Sequence, residues 1–187
     1  MNSQSEVESK VMPRMTHAEK LARTSEKRAA ILSFLASGEV WTTVEIAGQL
    51  MKTSERRTVV TLEAMERDKL VAIEMSEYAG RKLRLIGITA HGLAVADAFG
   101  APYFEKGRTN AAYIGHHVDG QRCRLAAVAA GWHSWQPERV MRIRATRENW
   151  KKVPDAIAID PHGAPVAIEI ERHCKTPKRY AETIVSY

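Results

Sequence analysis

The stretch SERRTVVTLEAMERDKLVAIEMSEYAGRKLRLIGIT, residues Ser54–Thr89, decides the fold of the first half of the chain. Its first part predicts a helix capped by Ser54, because apolar residues recur at helical spacing. These residues are Val59, Leu62, Met65 and Leu70. The first turn of this helix and its margin carry Arg56, Arg57 and Thr58. A basic and polar helix start is what a recognition helix presents to the major groove of DNA.

The second part of the stretch predicts a β-hairpin. An alternating strand from Val71 to Met75 is followed by a turn around Tyr78–Gly80 and by a returning strand from Lys82 to Ile88. Three cations lie at or beside the turn. They are Arg81, Lys82 and Arg84. A basic hairpin tip of this kind can contact phosphates or the minor groove.

Two helices are predicted before this stretch and one after it. SEKRAAILSFLASGE gives a first helix that starts at Ser25 and stops at Gly38, and Thr42 or Thr43 caps a second short helix, TVEIAGQLM. A closing helix runs from Thr89 to Gly100. Three helices followed by a basic hairpin form a winged helix-turn-helix, predicted here for residues 25–100. DNA binding is the expected function, and the alternative is a winged helix used only for protein contacts.

The composition indicates a polyanion as partner. The chain has 187 residues, 44% of them hydrophobic, and a net charge of +6. This charge favours DNA or RNA over an acidic protein. Its two cysteines, Cys123 and Cys174, do not indicate a disulfide framework, and no apolar run approaches the roughly 20 residues that cross a bilayer. We therefore expect a cytoplasmic protein that does not insert into a membrane, with residues 1–24 as a flexible basic arm.

A linker is predicted at residues 101–115, where proline, glycine and polar residues cluster. After it, a helix is predicted from about Val118 to Ala130. Its predicted buried residues are Leu125, Ala126, Val128 and Ala129. The segment WQPERVMRIRA is predicted to be a strand, with Val140, Met141 and Ile143 in the sheet.

PDAIAIDPHGAPVAIEIERHCK, which runs from Pro154 to Lys175, predicts a second hairpin. With a loop at 160–164, an antiparallel register places Asp155 opposite Glu169, and Glu171 shares their face. Like charges at these positions repel, and a divalent cation offsets that repulsion. Carboxylate oxygens are the ligands that Mg²⁺ and Mn²⁺ prefer, and such an ion can stabilise charge on a scissile phosphate. The alternative is a solvated hairpin end with surface acids.

Pro154, Asp155 and the Glu169-Ile-Glu171 triplet with nearby Lys175 resemble the core of the PD-(D/E)XK nuclease superfamily. Glu171 occupies the usual lysine position, so this role would move to Lys175 or Lys178. With the winged helix in front, the chain is similar to MobC-type relaxases of mobilisable plasmids and to the replication-relaxation proteins. The overall expectation is an α+β chain in which a winged helix-turn-helix precedes a PD-(D/E)XK restriction-endonuclease-like α/β domain at residues 116–187.

The resemblance implies a metal-dependent endonuclease that nicks one DNA strand at a plasmid transfer origin, together with other mobilisation or conjugation proteins. It implies a site for Mg²⁺ or Mn²⁺ at Asp155, Glu169 and Glu171, with Glu138 as a further candidate ligand and Lys175 as a catalytic cation. His116 and His117 are candidates for metal or phosphate binding, or are histidines of the core and helix start. Two alternatives stay open: a non-catalytic winged-helix regulator and a plasmid replication accessory protein.

A nuclease core of this kind normally continues with at least another strand and helix after the segment that carries Lys178 and Tyr180. Either the core is compact, or its C-terminal part lies beyond Tyr187. In the second case the named acids would be present in a site that lacks part of its support.

Overall fold

The computed structural model describes residues 15–185, which form two antiparallel sheets and seven α-helices within that range. The helices are α1 (His17–Phe34), α2 (Val44–Met51), α3 (Glu55–Arg67), α4 (Ala90–Val95), α5 (Ala111–Ala129), α6 (Glu138–Arg147) and α7 (Pro177–Val185). The strands are β1 (Trp41–Thr43), β2 (Val71–Tyr78), β3 (Arg81–Ile88), β4 (His133–Pro137), β5 (Ala156–Ile159) and β6 (Pro165–Ile168). No helix in residues 15–185 has the length and apolarity needed to cross a membrane.

The first part of the chain is a winged helix, as the sequence predicted. Helices α1, α2 and α3 precede the β2–β3 hairpin, and β1 adds a third strand in the order β1-β3-β2. The hairpin pairs from Val71↔Ile88 to Tyr78↔Arg81, and its two-residue turn has positive φ at Ala79 and Gly80. Such turns match the twist of the flanking strands, which explains why the hairpin extends to its tip.

One hydrophobic core holds the winged helix together. Its fully buried side chains include Ile31 of α1, Ile46 of α2, Leu62 and Met65 of α3, and Leu85 of β3. The helical and alternating patterns of the sequence therefore identified the inward faces correctly.

Helix α1 begins earlier than predicted. Thr16 caps it, and the Glu19 side chain accepts a hydrogen bond from the Thr16 backbone N–H at 2.6 Å, which completes a capping box. Residues 17–24 of the predicted arm are therefore helical, because the T-x-x-E pattern satisfies the first backbone donors. Residues 1–14 of that arm lie outside the described part of the chain.

The predicted linker at residues 101–115 is packed onto the winged helix. Phe104 is 7% exposed and its backbone N–H donates to Ile88 O at 2.8 Å. A Cβ at Gly87 would overlap the Phe104 ring, so glycine is required for this close approach. The segment is therefore part of the first core and does not act as a free connection.

Helix α5 also differs from its prediction. Asn110 caps it, so it starts at Ala111, and its N-terminal half contributes Ile114 and Val118 to the winged-helix core. The predicted buried residue Val128 is 52% exposed, and Ala126 and Ala129 are exposed as well. Leu125 does pack against the core, but the buried part of α5 lies about three turns earlier in the sequence than expected.

The segment predicted as one strand, WQPERVMRIRA, divides into β4 and α6. Glu138 lies in the first turn of the helix and Arg147 in its last, which suits the helix dipole. Met141 is 2% exposed and faces the interior of the protein, whereas Val140 is 46% exposed. The side chain of Ile143 lies outside the described part of the chain. The strand prediction was wrong because its apolar residues also fit a helical face.

The second sheet has the order β4-β5-β6 and contains the predicted hairpin. Its register runs from Ala156↔Ile168 to Ile159↔Pro165, as predicted. Asp160 stabilises the loop because its Oδ1 accepts hydrogen bonds from the backbones of His162 and Ala164 at 2.9 and 2.8 Å. These elements do not by themselves establish a restriction-endonuclease-like core.

A buried polar network joins α5 to the segment between α1 and β1. Gln121, which is fully buried, donates to Trp41 O at 2.6 Å and to Glu39 Oε2 at 3.2 Å. Its Oε1 accepts from the Thr42 hydroxyl at 2.8 Å. Arg124 donates to Glu39 Oε1 at 2.9 Å, and both side chains of this ion pair are shielded from water. Each buried polar group therefore has a partner that lies about 80 residues away in sequence.

We expect Gln121→Ala to lower the free energy of unfolding by about 2–4 kcal/mol, because it leaves buried polar groups without partners. Urea denaturation of the whole chain measures this change. Gln49→Ala is the matched control, since Gln49 is exposed on α2 and its loss should change stability by less than about 0.5 kcal/mol. Equal stability of the two variants would contradict the assigned role of the network.

Candidate nucleic-acid interface and acidic cleft

The first turn of α3 presents two arginines to solvent. Arg56 and Arg57 are exposed, and neither forms an ion pair with another residue in the range 15–185. The opposite face of α3 buries Leu62 and Met65, which fixes the outward direction of the arginines. The structure therefore places both predicted DNA contacts on the accessible side of the helix.

Thr58 does not lie on that side, and its prediction as a DNA contact was wrong for this conformation. Its side chain is fully buried, and its hydroxyl donates to Ser54 O at 3.0 Å. Val60, which the sequence pattern did not single out, is 60% exposed instead. Its position one turn after Arg56 could have been inferred from the helical period.

A groove of about 1240 Å³ separates the start of α3 from the wing, the β2–β3 hairpin. Its basic residues are Lys52, Arg56, Lys82 and Arg84. Its acidic residues are Glu45 and Glu55, and Glu45 is paired with Arg122 at 2.8 Å. Cations from both sides of the groove therefore outnumber its carboxylates.

The three predicted wing cations are all exposed, but they differ in their surroundings. Arg84 Nη1 lies 3.6 Å from Glu63 Oε1 of α3, so this arginine links the wing to the helix. Arg81 and Lys82 form no ion pair within the described residues. Exposed pairs of the Arg84–Glu63 type contribute little free energy, so Arg84 can exchange its partner for a phosphate.

Asp155 is held by two hydrogen bonds near the start of β5. Its Oδ1 lies 3.0 Å from His116 Nε2, and its Oδ2 accepts from the Ile170 backbone at 2.7 Å. Asp155 thus closes the open end of the hairpin and links it to α5.

The other predicted acids each have a different cation as partner. Lys152 Nζ lies 2.8 Å from Glu169 Oε1, and Lys175 pairs with Glu171. Glu138 pairs with Arg142 at 2.7 Å. The Glu169–Lys152 pair was missed because nothing in the local sequence shows that Lys152 reaches the residue that follows β6.

Apart from Glu138, which does not line it, the predicted site residues share one cleft of about 810 Å³, which we call the acidic cleft. It is lined by Asp155, Glu169, Glu171, Lys175 and His116. Within residues 15–185, however, no group of three or more His, Cys, Asp or Glu side chains is arranged to hold a metal ion. Each carboxylate instead has its own partner within the chain, so in this conformation they do not fit Mg²⁺ or Mn²⁺. The metal site remains a prediction.

The two histidines predicted as possible ligands have different environments. His116 faces the acidic cleft beside Asp155, whereas His117 packs on Trp41 with ring centroids 4.2 Å apart. Burial lowers the pKa of His117, and the nearby Glu39 carboxylate opposes part of that shift. His117 therefore belongs to the polar network around Gln121, whose Nε2 lies 2.8 Å from His117 Nε2.

No protein-family model matches the chain, and no curated protein matches it in sequence. Two solved structures are similar in part. A single-substitution mutant of MepR from a multidrug-resistant S. aureus clinical isolate is 15% identical, with a TM-score of 0.35 over 60% of this chain and 86% of that one. A double mutant of Lactococcus lactis ZitR in its apo form is 14% identical, with a TM-score of 0.32 over 73% of this chain and 95% of that one. Similarity at this level assigns no function.

Protonation of His117 should make stability depend on pH. The folded pKa lies below the unfolded value of about 6.5, so His117 contributes its full stabilisation above that pH. As the pH falls below about 6.5 the unfolded chain takes up a proton that the folded chain resists, and stability decreases by at most about 1.4 kcal/mol per pH unit.

Urea denaturation between neutral and mildly acidic pH tests this dependence. His117→Gln should flatten it, whereas His91→Gln, at an exposed position, should retain it. The assignment to His117 would be refuted if the His117→Gln variant kept the slope of the unmodified protein.

Proposed function

We propose that this chain is a non-catalytic, winged-helix DNA-binding protein of the regulator type, with duplex DNA as its partner. The observation that carries the proposal is the pair of unpaired, exposed arginines at the start of α3, within the described residues. Arg56 faces the groove that also contains the wing residue Lys82. A helix start and a wing on two sides of one basic groove can contact the major groove and the adjacent phosphates together.

Charge and shape both support this surface. Arg57 lies in a second, smaller cleft beside Lys27 of α1, so cations continue past the helix start. The positive end of the α3 dipole points in the same direction and favours phosphate. Val60 lies in both clefts and offers an apolar surface that can contact a thymine methyl group.

A second candidate function is metal-dependent nicking of DNA, as in the relaxases that the sequence resembles. One observation favours it: Asp155, Glu169, Glu171 and Lys175 share the acidic cleft, and this cleft adjoins the wing. Arg172, which lines the cleft, donates to the Tyr78 hydroxyl at the wing tip at 2.7 Å. DNA on the wing would therefore pass near these acids, although their present ion pairs do not fit a divalent ion.

For duplex binding, we expect Arg56→Ala combined with Arg57→Ala to weaken affinity about tenfold to a hundredfold, through two lost phosphate or base contacts. The slope of log K against log salt should also decrease by about 1.8. Fluorescence anisotropy with a mixed-sequence duplex measures both quantities.

The matched control is Arg147→Ala with Lys151→Ala, which removes the same charge from the exposed end of α6 and the residues after it. Under the proposal the control binds nearly as the unmodified protein does. Equal losses in the two double variants would mean that net charge alone, and no specific surface, determines binding.

For catalysis, we expect no relaxation of a supercoiled plasmid above the EDTA background when Mg²⁺ or Mn²⁺ is added, because Glu169 and Glu171 are already paired with Lys152 and Lys175. The plasmid should carry a duplex selected for binding. Plasmid incubated with the unmodified protein, with Glu169→Gln or with the exposed control Glu26→Gln is then compared on agarose gels. Nicking that requires both metal and Glu169, and that survives in Glu26→Gln, would establish the second candidate.

A further inference from the structure

Another cleft, of about 630 Å³, lies between the segment after α4, the start of α5 and the start of α6, and it adjoins the acidic cleft at His116. We call it the tyrosine–arginine cleft. It is defined by Tyr103, Tyr113, Arg108, Arg139 and Arg142. Its volume lies in the range of about 300–1,000 Å³ that is typical of ligand-binding clefts. It shares no lining residue with the groove between α3 and the wing.

The two tyrosines are not needed for the core. Tyr103 is 50% exposed and Tyr113 is 67% exposed. The neighbouring Phe104, by contrast, is 7% exposed and packs against the winged helix. In the described part of the chain neither tyrosine hydroxyl has a hydrogen-bond partner. Exposed rings with accessible faces are the platforms on which unpaired nucleic-acid bases stack.

The arginines give the cleft an excess of positive charge. Arg108 pairs with Glu105 at 2.6 Å and Arg142 with Glu138 at 2.7 Å. These pairs are solvent-exposed and contribute little free energy, so a phosphate can replace either carboxylate as partner. Arg139 is exposed and forms no ion pair with any residue between 15 and 185. Three cations thus face two carboxylates.

We propose that the tyrosine–arginine cleft binds single-stranded DNA, with bases stacked on Tyr103 and Tyr113 and the backbone along the arginines. Stacking and phosphate contacts in one groove are the two components of sequence-tolerant single-strand binding. A folded acidic protein would use the charge but would not require two free ring faces. The choice of DNA over RNA rests on the proposed duplex-binding function of the same chain.

Fluorescence anisotropy with labelled oligothymidine tests the cleft directly. Tyr103→Ala and Tyr113→Ala should each weaken binding roughly 5- to 150-fold, which is the range measured for base–aromatic stacking. Tyr103→Phe and Tyr113→Phe keep the ring and should bind as the unmodified protein does. Arg139→Ala with Arg142→Ala should lower the salt dependence of binding.

The two DNA surfaces are separated by measuring duplex binding in the same variants. The tyrosine variants should retain duplex binding. Arg56→Ala with Arg57→Ala should show the weakened duplex binding given above while keeping oligothymidine binding. Failure of the duplex proposal would therefore appear in different variants from failure of this one. Because both tyrosines are exposed, their replacement should not unfold the chain, and circular dichroism checks this for each variant.

Three results would overturn the proposal. One is an unmodified protein that does not bind oligothymidine. Another is unchanged oligothymidine binding in a folded Tyr103→Ala, Tyr113→Ala double variant. The third is equal or tighter binding of oligouridine RNA, which would assign the cleft to RNA.

Discussion

The structure depends on the buried contact of Gln121 and Arg124 with the turn between α1 and β1. Gln121 binds the Trp41 carbonyl and Glu39, and Arg124 neutralises Glu39 in a place with little access to water. If one of these groups lost its partner, the free energy lost would exceed the contribution of an ordinary exposed hydrogen bond. The reason is that a buried group without a partner is not solvated by water either. The network therefore fixes α5 on the winged helix in one position.

Fixing α5 also positions the second half of the chain. The N-terminal half of α5 lies in the first core, while His116 on the same helix binds Asp155 at the open end of the second hairpin. Arg172, just after that hairpin, reaches both Asp119 of α5 and Tyr78 of the wing. The wing, α5 and the acidic hairpin are thus connected through one helix, and the boundary predicted at residues 101–115 does not separate them.

Local patterns in the sequence were sufficient where a short stretch determines its own structure. Both hairpins were predicted, and the second was predicted in the correct register, because their turns and alternating residues lie within about 20 positions of each other. Thr58 shows where local patterns are insufficient. Its helix was predicted correctly, but the residue was assigned to the exposed face, whereas its side chain is buried. Met141 is a second such case, because a buried apolar residue at this position is compatible with either a strand or a helix. The Gln121 network could not be predicted, since its partners are about 80 residues apart.

The distribution of ion pairs connects the net charge to the surfaces. Several acids that the sequence marked as metal ligands already have cations beside them: Glu169 has Lys152, Glu171 has Lys175 and Glu138 has Arg142. Those cations are consequently less available to a polyanion. Among the described residues, three cations have no such partner. Arg56 and Lys82 line the groove between α3 and the wing, Arg139 lines the tyrosine–arginine cleft, and none of them lines the acidic cleft. A negatively charged polymer would therefore gain the most binding free energy at these three side chains. It would replace water and counterions there without disrupting an ion pair of the protein.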